Sequence, residues 1–229
     1  VKKFQRTLNI SVDGVVGNQT WTTLKNYDDG DDSDVRCIRE EDYVNAAKQL
    51  DVEVEMVKSF SRVESRGSGF LFDGRPKILF ERHWMYRLLR KKGIDIGNET
   101  TEDVSDIVNA APGGYIGGSA EHARLERARA IDEESAIQSA SWGAYQIMGF
   151  HWKRLGFESV KAFEQSMAEN EANHLFSVVR FIKTDDRLLD AIKQRSWHDI
   201  ARIYNGTNYY KGEYHLKLEE AYRFFKRTA

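Results

Sequence analysis

The stretch Phe60-Ser61-Arg62-Val63-Glu64-Ser65-Arg66-Gly67-Ser68-Gly69-Phe70 decides how this chain is read. Upstream, Val54, Val57, Phe60 and Ser61 recur at helical spacing, so an apolar helix runs into Glu64. Downstream, Gly67 and Gly69 let the backbone turn sharply and leave space beside the carboxyl. Desolvation at the end of an apolar helix favours the protonated carboxyl. A general acid working near neutral pH needs that condition. Alone the segment decides little, because a solvated surface charge is the commoner fate of any of the 36 acids.

The rest of the chain narrows the setting. Its 229 residues are 41% hydrophobic and 31% charged, which suits one sizeable core with a small appendage. Two prolines favour helices. No apolar run is long enough to span a bilayer, so membrane insertion is not expected. With 34 bases against 36 acids, the net charge of −2 lacks the basic footprint of a nucleic-acid binder. Cys37 stands alone and no His-Glu-x-x-His occurs, so no disulfide, metal or cofactor is expected. A basic segment followed by an apolar one, the mark of a secretory signal, is absent. The chain begins at Val1 in mid-pattern, which suggests a preceding piece.

Charge divides the sequence. Residues 28–55 carry eleven acids against three bases, a net of −8, leaving the remainder near +6. Within them, Asp28-Asp29-Gly30-Asp31-Asp32-Ser33-Asp34 has no apolar residue and reads as a solvated linker over 28–39. Its acids do not follow the spacing of a calcium loop.

Beyond the linker, helical periodicity predicts helices over 40–50, 54–64, 83–90, 120–138, 164–182, 185–195, 197–204 and 213–227. Residues 70–80 read as a hairpin turning at Asp73-Gly74. Residues 95–119 read as a loop rich in glycine. The expected fold is mostly α with a small β element.

Two further segments extend the first. Ser141-Trp142-Gly143-Ala144-Tyr145-Gln146 is a tight glycine-bounded run, and Tyr204-Asn205-Gly206 ends a helix. The order Glu-Ser, then Ser-x-Gly-x-x-Gln, then Tyr-Asn-Gly resembles the signature motifs of the lysozyme-like superfamily. More specifically, Glu64-Ser65-Arg66-Gly67, Leu79-Phe80-Glu81-Arg82-His83, Gly113-Gly114-Tyr115 and Ser139-Ala140-Ser141-Trp142-Gly143 resemble the N-acetylmuramidase domain of modular phage endolysins, over residues 40–229. The resemblance implies a mostly helical α+β lysozyme-like fold. The implied substrate is bacterial peptidoglycan, cut at the β-1,4 bond from N-acetylmuramic acid to N-acetylglucosamine.

The resemblance also assigns roles. Glu64 would protonate the leaving oxygen, with Glu81 or Asp73 as a second carboxylate. Ser141, Tyr145 and Gln146 would line the saccharide groove, with Tyr204 and Asn205 facing Glu64 and Tyr115 in a lid. Plainer readings stand beside these. Asp73 suits a turn, Tyr145 and Tyr204 suit core packing, and His83 suits either a structural role or one orienting Glu81. Rival functions are a lytic transglycosylase forming 1,6-anhydromuramic acid and a non-catalytic wall-binding protein.

Residues 1–27 resemble the second half of a small helical peptidoglycan-binding module, with Asp13, Gly14, Gly17 and Trp21 as its implied wall-binding residues. Phe4, Leu8, Trp21 and Leu24 are expected to pack together there. An endolysin of this kind would be a monomer made in the host cytoplasm. It would reach the periplasm after the membrane is permeabilised.

Overall fold

A computed structural model describes residues 1–7, 10–17, 19–20, 36–65, 67–94 and 104–228. The chain divides into two compact units, Val1–Val35 and Arg36–Ala229. Among the described residues no helix is long and apolar enough to cross a membrane.

The first unit opens with α1 (Lys2–Thr7). Its organising side chain is Gln5, which is wholly buried. The two N–H groups of Gln5 Nε2 are shared among Asp13 Oδ1 (2.7 Å), Val15 O (3.0 Å) and Thr20 Oγ1 (3.1 Å), and Gln5 Oε1 accepts from Gly14 N (2.9 Å). Asp13 Oδ1 also accepts from Val15 N at 2.8 Å, closing a local turn. Gly14 sits there at φ +83°, which disfavours any side chain. Asp13 and Gly14 therefore build the turn, while Gly17 lies open, with no atom close to where a Cβ would be. Trp21, Leu8, Leu24, the side chain of Phe4 and residues 28–35 of the expected linker lie outside the described residues.

The second unit is mostly helical. Its first helices are α2 (Glu40–Leu50) and α3 (Val54–Glu64). Three acids in the first turn of α2 complement the helix dipole, and Asp42 accepts from the Arg39 N–H at 2.8 Å. In α3 the buried face is Met56, Val57, Phe60 and Ser61, and the helix ends where Ser65 turns extended.

After strand β1 (Ile78–Phe80) come α4 (Arg82–Lys91), α5 (Ala120–Arg129) and α6 (Glu133–Gln138). Strands β2 (Ala140–Trp142) and β3 (Ile147–Met148) follow. Then come α7 (Val160–Glu169), α8 (Glu171–Lys183), α9 (Asp186–Gln194), α10 (Trp197–Asn205) and α11 (Tyr214–Thr228). The core joins Phe60, Phe80, Leu89, Trp142, Phe163, Leu175, Val179 and Ile200, all buried.

Three expectations are corrected. The helix expected over 120–138 breaks because Asp132 caps α6, accepting from Ser135 N at 2.8 Å. The helix expected over 164–182 begins earlier, at Val160, and splits where Asn170 caps α8 by accepting from Asn173 N at 2.9 Å. The hairpin over 70–80 shrinks to one bridge, Phe70 to Pro76. Past that bridge Lys77 O accepts from Gly143 N at 2.8 Å, and fully buried Phe80 belongs to a strand needing an interior partner. That partner is β2, with Leu79 opposite Ser141 and Phe80 opposite Ala140, and β3 completes an antiparallel sheet of order β1-β2-β3.

Candidate active site

Glu64, the last residue of α3, is held by Asn205, the last residue of α10: Asn205 Nδ2 donates to Glu64 Oε2 at 3.1 Å. Gly206, at φ +81°, turns the chain away immediately after Asn205. Behind this pair, Tyr204 packs edge-on to Phe60 (centroids 4.9 Å) and Phe181 (6.0 Å). Burial and the neighbouring Glu64 charge push the Tyr204 phenol well above its ordinary range, so it stays protonated.

The run from Ser141 to Gln146 is the β2–β3 connection. Gly143 and Gln146 both adopt left-handed backbone, at φ +72° and +51°. Ser141 Oγ donates to Gln146 Oε1 (2.8 Å), and Gln146 Nε2 donates to Gly143 O (2.8 Å). The Ser-x-Gly-x-x-Gln pattern thus closes on itself. Tyr145 is buried, and its hydroxyl shares a 2.7 Å hydrogen bond with Ser61 Oγ on α3, which ties this turn to the Glu64 helix. Burial raises the Tyr145 phenol despite that bond.

Beneath both glycine segments stands His174 of α8. It is buried, with Nε2 donating to Met167 O (2.7 Å) and Nδ1 accepting from Ala144 N (3.2 Å). A Cβ on Gly143 would lie 2.7 Å from its ring, and one on Gly69 would also collide with it. Phe70 stacks on the same ring at 5.1 Å. Burial holds the His174 imidazole below its ordinary pKa, in keeping with an Nδ1 that accepts.

Glu81 follows β1 directly and precedes the first residue of α4. Its Oε2 accepts from the Tyr115 hydroxyl at 2.7 Å and lies 3.2 Å from His83 Nδ1. The cations Arg82 and Arg75 go elsewhere. Arg82 donates to the carbonyls of Ser105 (3.1 Å), Ala111 (3.0 Å) and Pro112 (3.0 Å), wrapping the loop that carries Tyr115. Arg75 pairs with Asp73 at 2.6 Å.

The same loop is anchored by Glu121, which the sequence reading passes over. Glu121 is wholly buried and accepts from Ile116 N (2.7 Å), Gly117 N (2.9 Å), Phe80 N (2.9 Å) and Arg124 Nη1 (2.7 Å). Burial alone would raise its pKa, but the Gly117, Phe80 and Ile116 N–H groups and the Arg124 charge outweigh it and hold the carboxyl below its ordinary range. The available signal was an acid and an arginine three apart on the helix that follows a glycine-rich loop.

These elements enclose a cleft of about 300 Å³ lined by Glu64, Glu81, Ser141, Tyr145, Gln146 and Asn205, with Val63, Leu79, Met148 and Tyr214 as its apolar and aromatic wall. Of the residues singled out in the sequence, Tyr204 packs behind this cleft and Tyr115 reaches it through Glu81. Asp73 does not line it. Its Oδ1 accepts from Arg75 N at 3.1 Å in an exposed turn, and Arg75 lowers its pKa. A larger cavity, about 630 Å³, lies at Val44, Met56 and Ile192, but its acids are spent on ion pairs, Asp51 with Lys193 and Glu53 with Arg195. Among the described residues no group of three His, Cys, Asp or Glu could hold a metal.

Two carboxylates in one polar-lined cleft suit acid and base catalysis of a glycosidic bond. The model of the N-acetylmuramidase family matches residues 53–226. The crystal structure of the Burkholderia AP3 phage endolysin is similar to this chain, at 41% identity and a TM-score of 0.82, over 99% of this chain and 84% of that one. No curated protein matches the chain.

Proposed function

This chain belongs to the N-acetylmuramidase family, and from that premise we propose that Glu64 is the general acid of its cleft. The protein is a glycoside hydrolase of the endolysin type that cuts the β-1,4 bond between N-acetylmuramic acid and N-acetylglucosamine in peptidoglycan. The observation that carries Glu64 is its setting: a carboxyl at a helix end, facing a cleft, with Asn205 on Oε2. The carboxyl carries the catalytic proton toward the space a bound sugar would fill. That proton passes to the glycosidic oxygen as the sugar takes on oxocarbenium character.

Glu81 is the second carboxylate and draws a proton from the attacking water. Tyr115 supports this reading because its hydroxyl holds the carboxylate that must accept, with His83 Nδ1 3.2 Å away. Asp73 is the turn residue of the 70–76 loop. Asn205, Gln146 and Ser141 present amide and hydroxyl groups suited to sugar hydroxyls and N-acetyl groups, and Tyr145 supplies a wall.

Residues 1–27 act as a partial peptidoglycan-binding module, 28–39 as a linker and 40–229 as the catalytic domain. The division of the chain at Val35 falls within that linker. The protein works as a monomer, made in the host cytoplasm and reaching peptidoglycan once the membrane is permeabilised.

Mass analysis of digested cell wall tests the reading. Wild-type protein yields reducing N-acetylmuramic acid ends, and Glu64→Gln yields none. Products ending in 1,6-anhydromuramic acid would replace hydrolysis with transglycosylation.

A further inference from the structure

A second cleft, of about 310 Å³, lies between α3 and α11. Val63 lines both this cleft and the Glu64 cleft. The two also share a helix face. Tyr214 lines the Glu64 cleft, and Lys217, Glu220, Phe224 and Arg227 continue from it along α11 at spacings of three and four. The shared Val63 and the run of α11 therefore mark a short path from beside Glu64 toward the second cleft.

That path is basic. Arg62, Lys217 and Arg227 line it against the single acid Glu220. Other cations of α11 are matched by carboxylates, Arg223 with Glu219 at 2.6 Å and Lys226 with Glu53 at 3.5 Å. None of the three lining cations forms an ion pair with a carboxylate among the described residues. Two are nonetheless held in place. Arg62 lies 4.6 Å over the Phe224 ring and 5.8 Å from that of Phe225, and Lys217 Nζ donates to Gly212 O at 2.6 Å. Placed cations facing little negative charge of their own suit an anionic ligand.

Peptidoglycan supplies one next to the bond being cut, because each muramic acid carries a peptide with free carboxylates. We propose that the α3–α11 cleft is a subsite for this acidic peptide, so that the enzyme reads the peptide while Glu64 cleaves the glycan. The proposal rests on Glu64 acting in the adjoining cleft.

The test compares kcat/KM on peptide-bearing glycan strands with kcat/KM on the same strands freed of peptide by an amidase. In Lys217→Glu/Arg227→Glu the ratio of the two falls about tenfold, as expected for reversing close charge pairs. In Glu220→Lys the ratio rises, and in wild type it falls with added salt. A double variant with the wild-type ratio, or one losing activity equally on both substrates, overturns the subsite, as does a Glu220→Lys variant whose ratio does not rise. Failure of the Glu64 reading shows separately, as a Glu64→Gln variant active on both substrates.

Discussion

Glu64 and Glu121 are the same side chain in opposed settings. Glu121 is wholly buried and accepts from three backbone N–H groups and the Arg124 guanidinium. It is committed to its charged form and to one geometry. Glu64 stands at the mouth of a cleft, accepts from the Asn205 amide and faces space where a sugar fits. Burial alone does not make a carboxyl reactive. A carboxylate surrounded by N–H donors and a cation is a strut, and one that lines an accessible cleft can pass its proton to a substrate.

The comparison breaks most visibly if Glu121 is removed. Glu121→Ala removes the 2.7 Å carboxylate of buried Arg124, leaving only Asp106 at 4.0 Å, and the expected loss of stability is about 3–5 kcal/mol. Urea unfolding measures it, and a loss well under 1 kcal/mol would deny Glu121 its structural role. Asn205→Ala takes the donor from Glu64. It lowers kcat about tenfold, the worth of one hydrogen bond to a charged group. The alkaline limb of the pH–rate profile moves to higher pH, because the amide favours the ionised carboxyl, while unfolding changes little. A uniform drop without movement of that limb would assign Asn205 to substrate contact alone. Tyr115→Phe removes the hydroxyl from Glu81 and lowers kcat only about threefold, in line with a single exposed hydrogen bond.

Apart from these stands the pH dependence of folding. Glu121 has its folded pKa below the ordinary range, so its contribution is full above that range and disappears as pH falls through the folded value. Burial, with Arg154 nearby, depresses His151 from 6.5 to about 4, so it costs stability as pH falls from 6.5 toward 4, where the unfolded chain takes up the proton first. His174 acts with the same sign. Melting temperature should therefore slope downward below pH 6.5 before the carboxylates titrate, and His151→Leu should flatten that first slope.

Much of this was legible in the sequence where the information is local. The helices Glu40–Leu50 and Val54–Glu64 follow from apolar spacing. The ordered motifs lead to Glu64, Ser141, Tyr145, Gln146 and Asn205, which the fold brings to one cleft. What stayed hidden is non-local. The pairing of Leu79 with Ser141 and the reach of Asn205 to Glu64 depend on how distant segments pack. Glu121, Arg82 and His174 chiefly serve backbone groups, and nothing in one strand of sequence marks a side chain whose partner is a distant N–H or carbonyl. Glu121 looks like any other of the 36 acids until its loop is folded over it.

The most direct measurement sets Glu64→Gln beside Glu121→Gln, comparing melting temperature with the rate of wall solubilisation per folded molecule. For Glu64→Gln the rate should fall at least about 100-fold, the scale of a lost general acid, with wild-type melting, whereas Glu121→Gln should lose stability first. Wild-type solubilisation by Glu64→Gln would contradict the account.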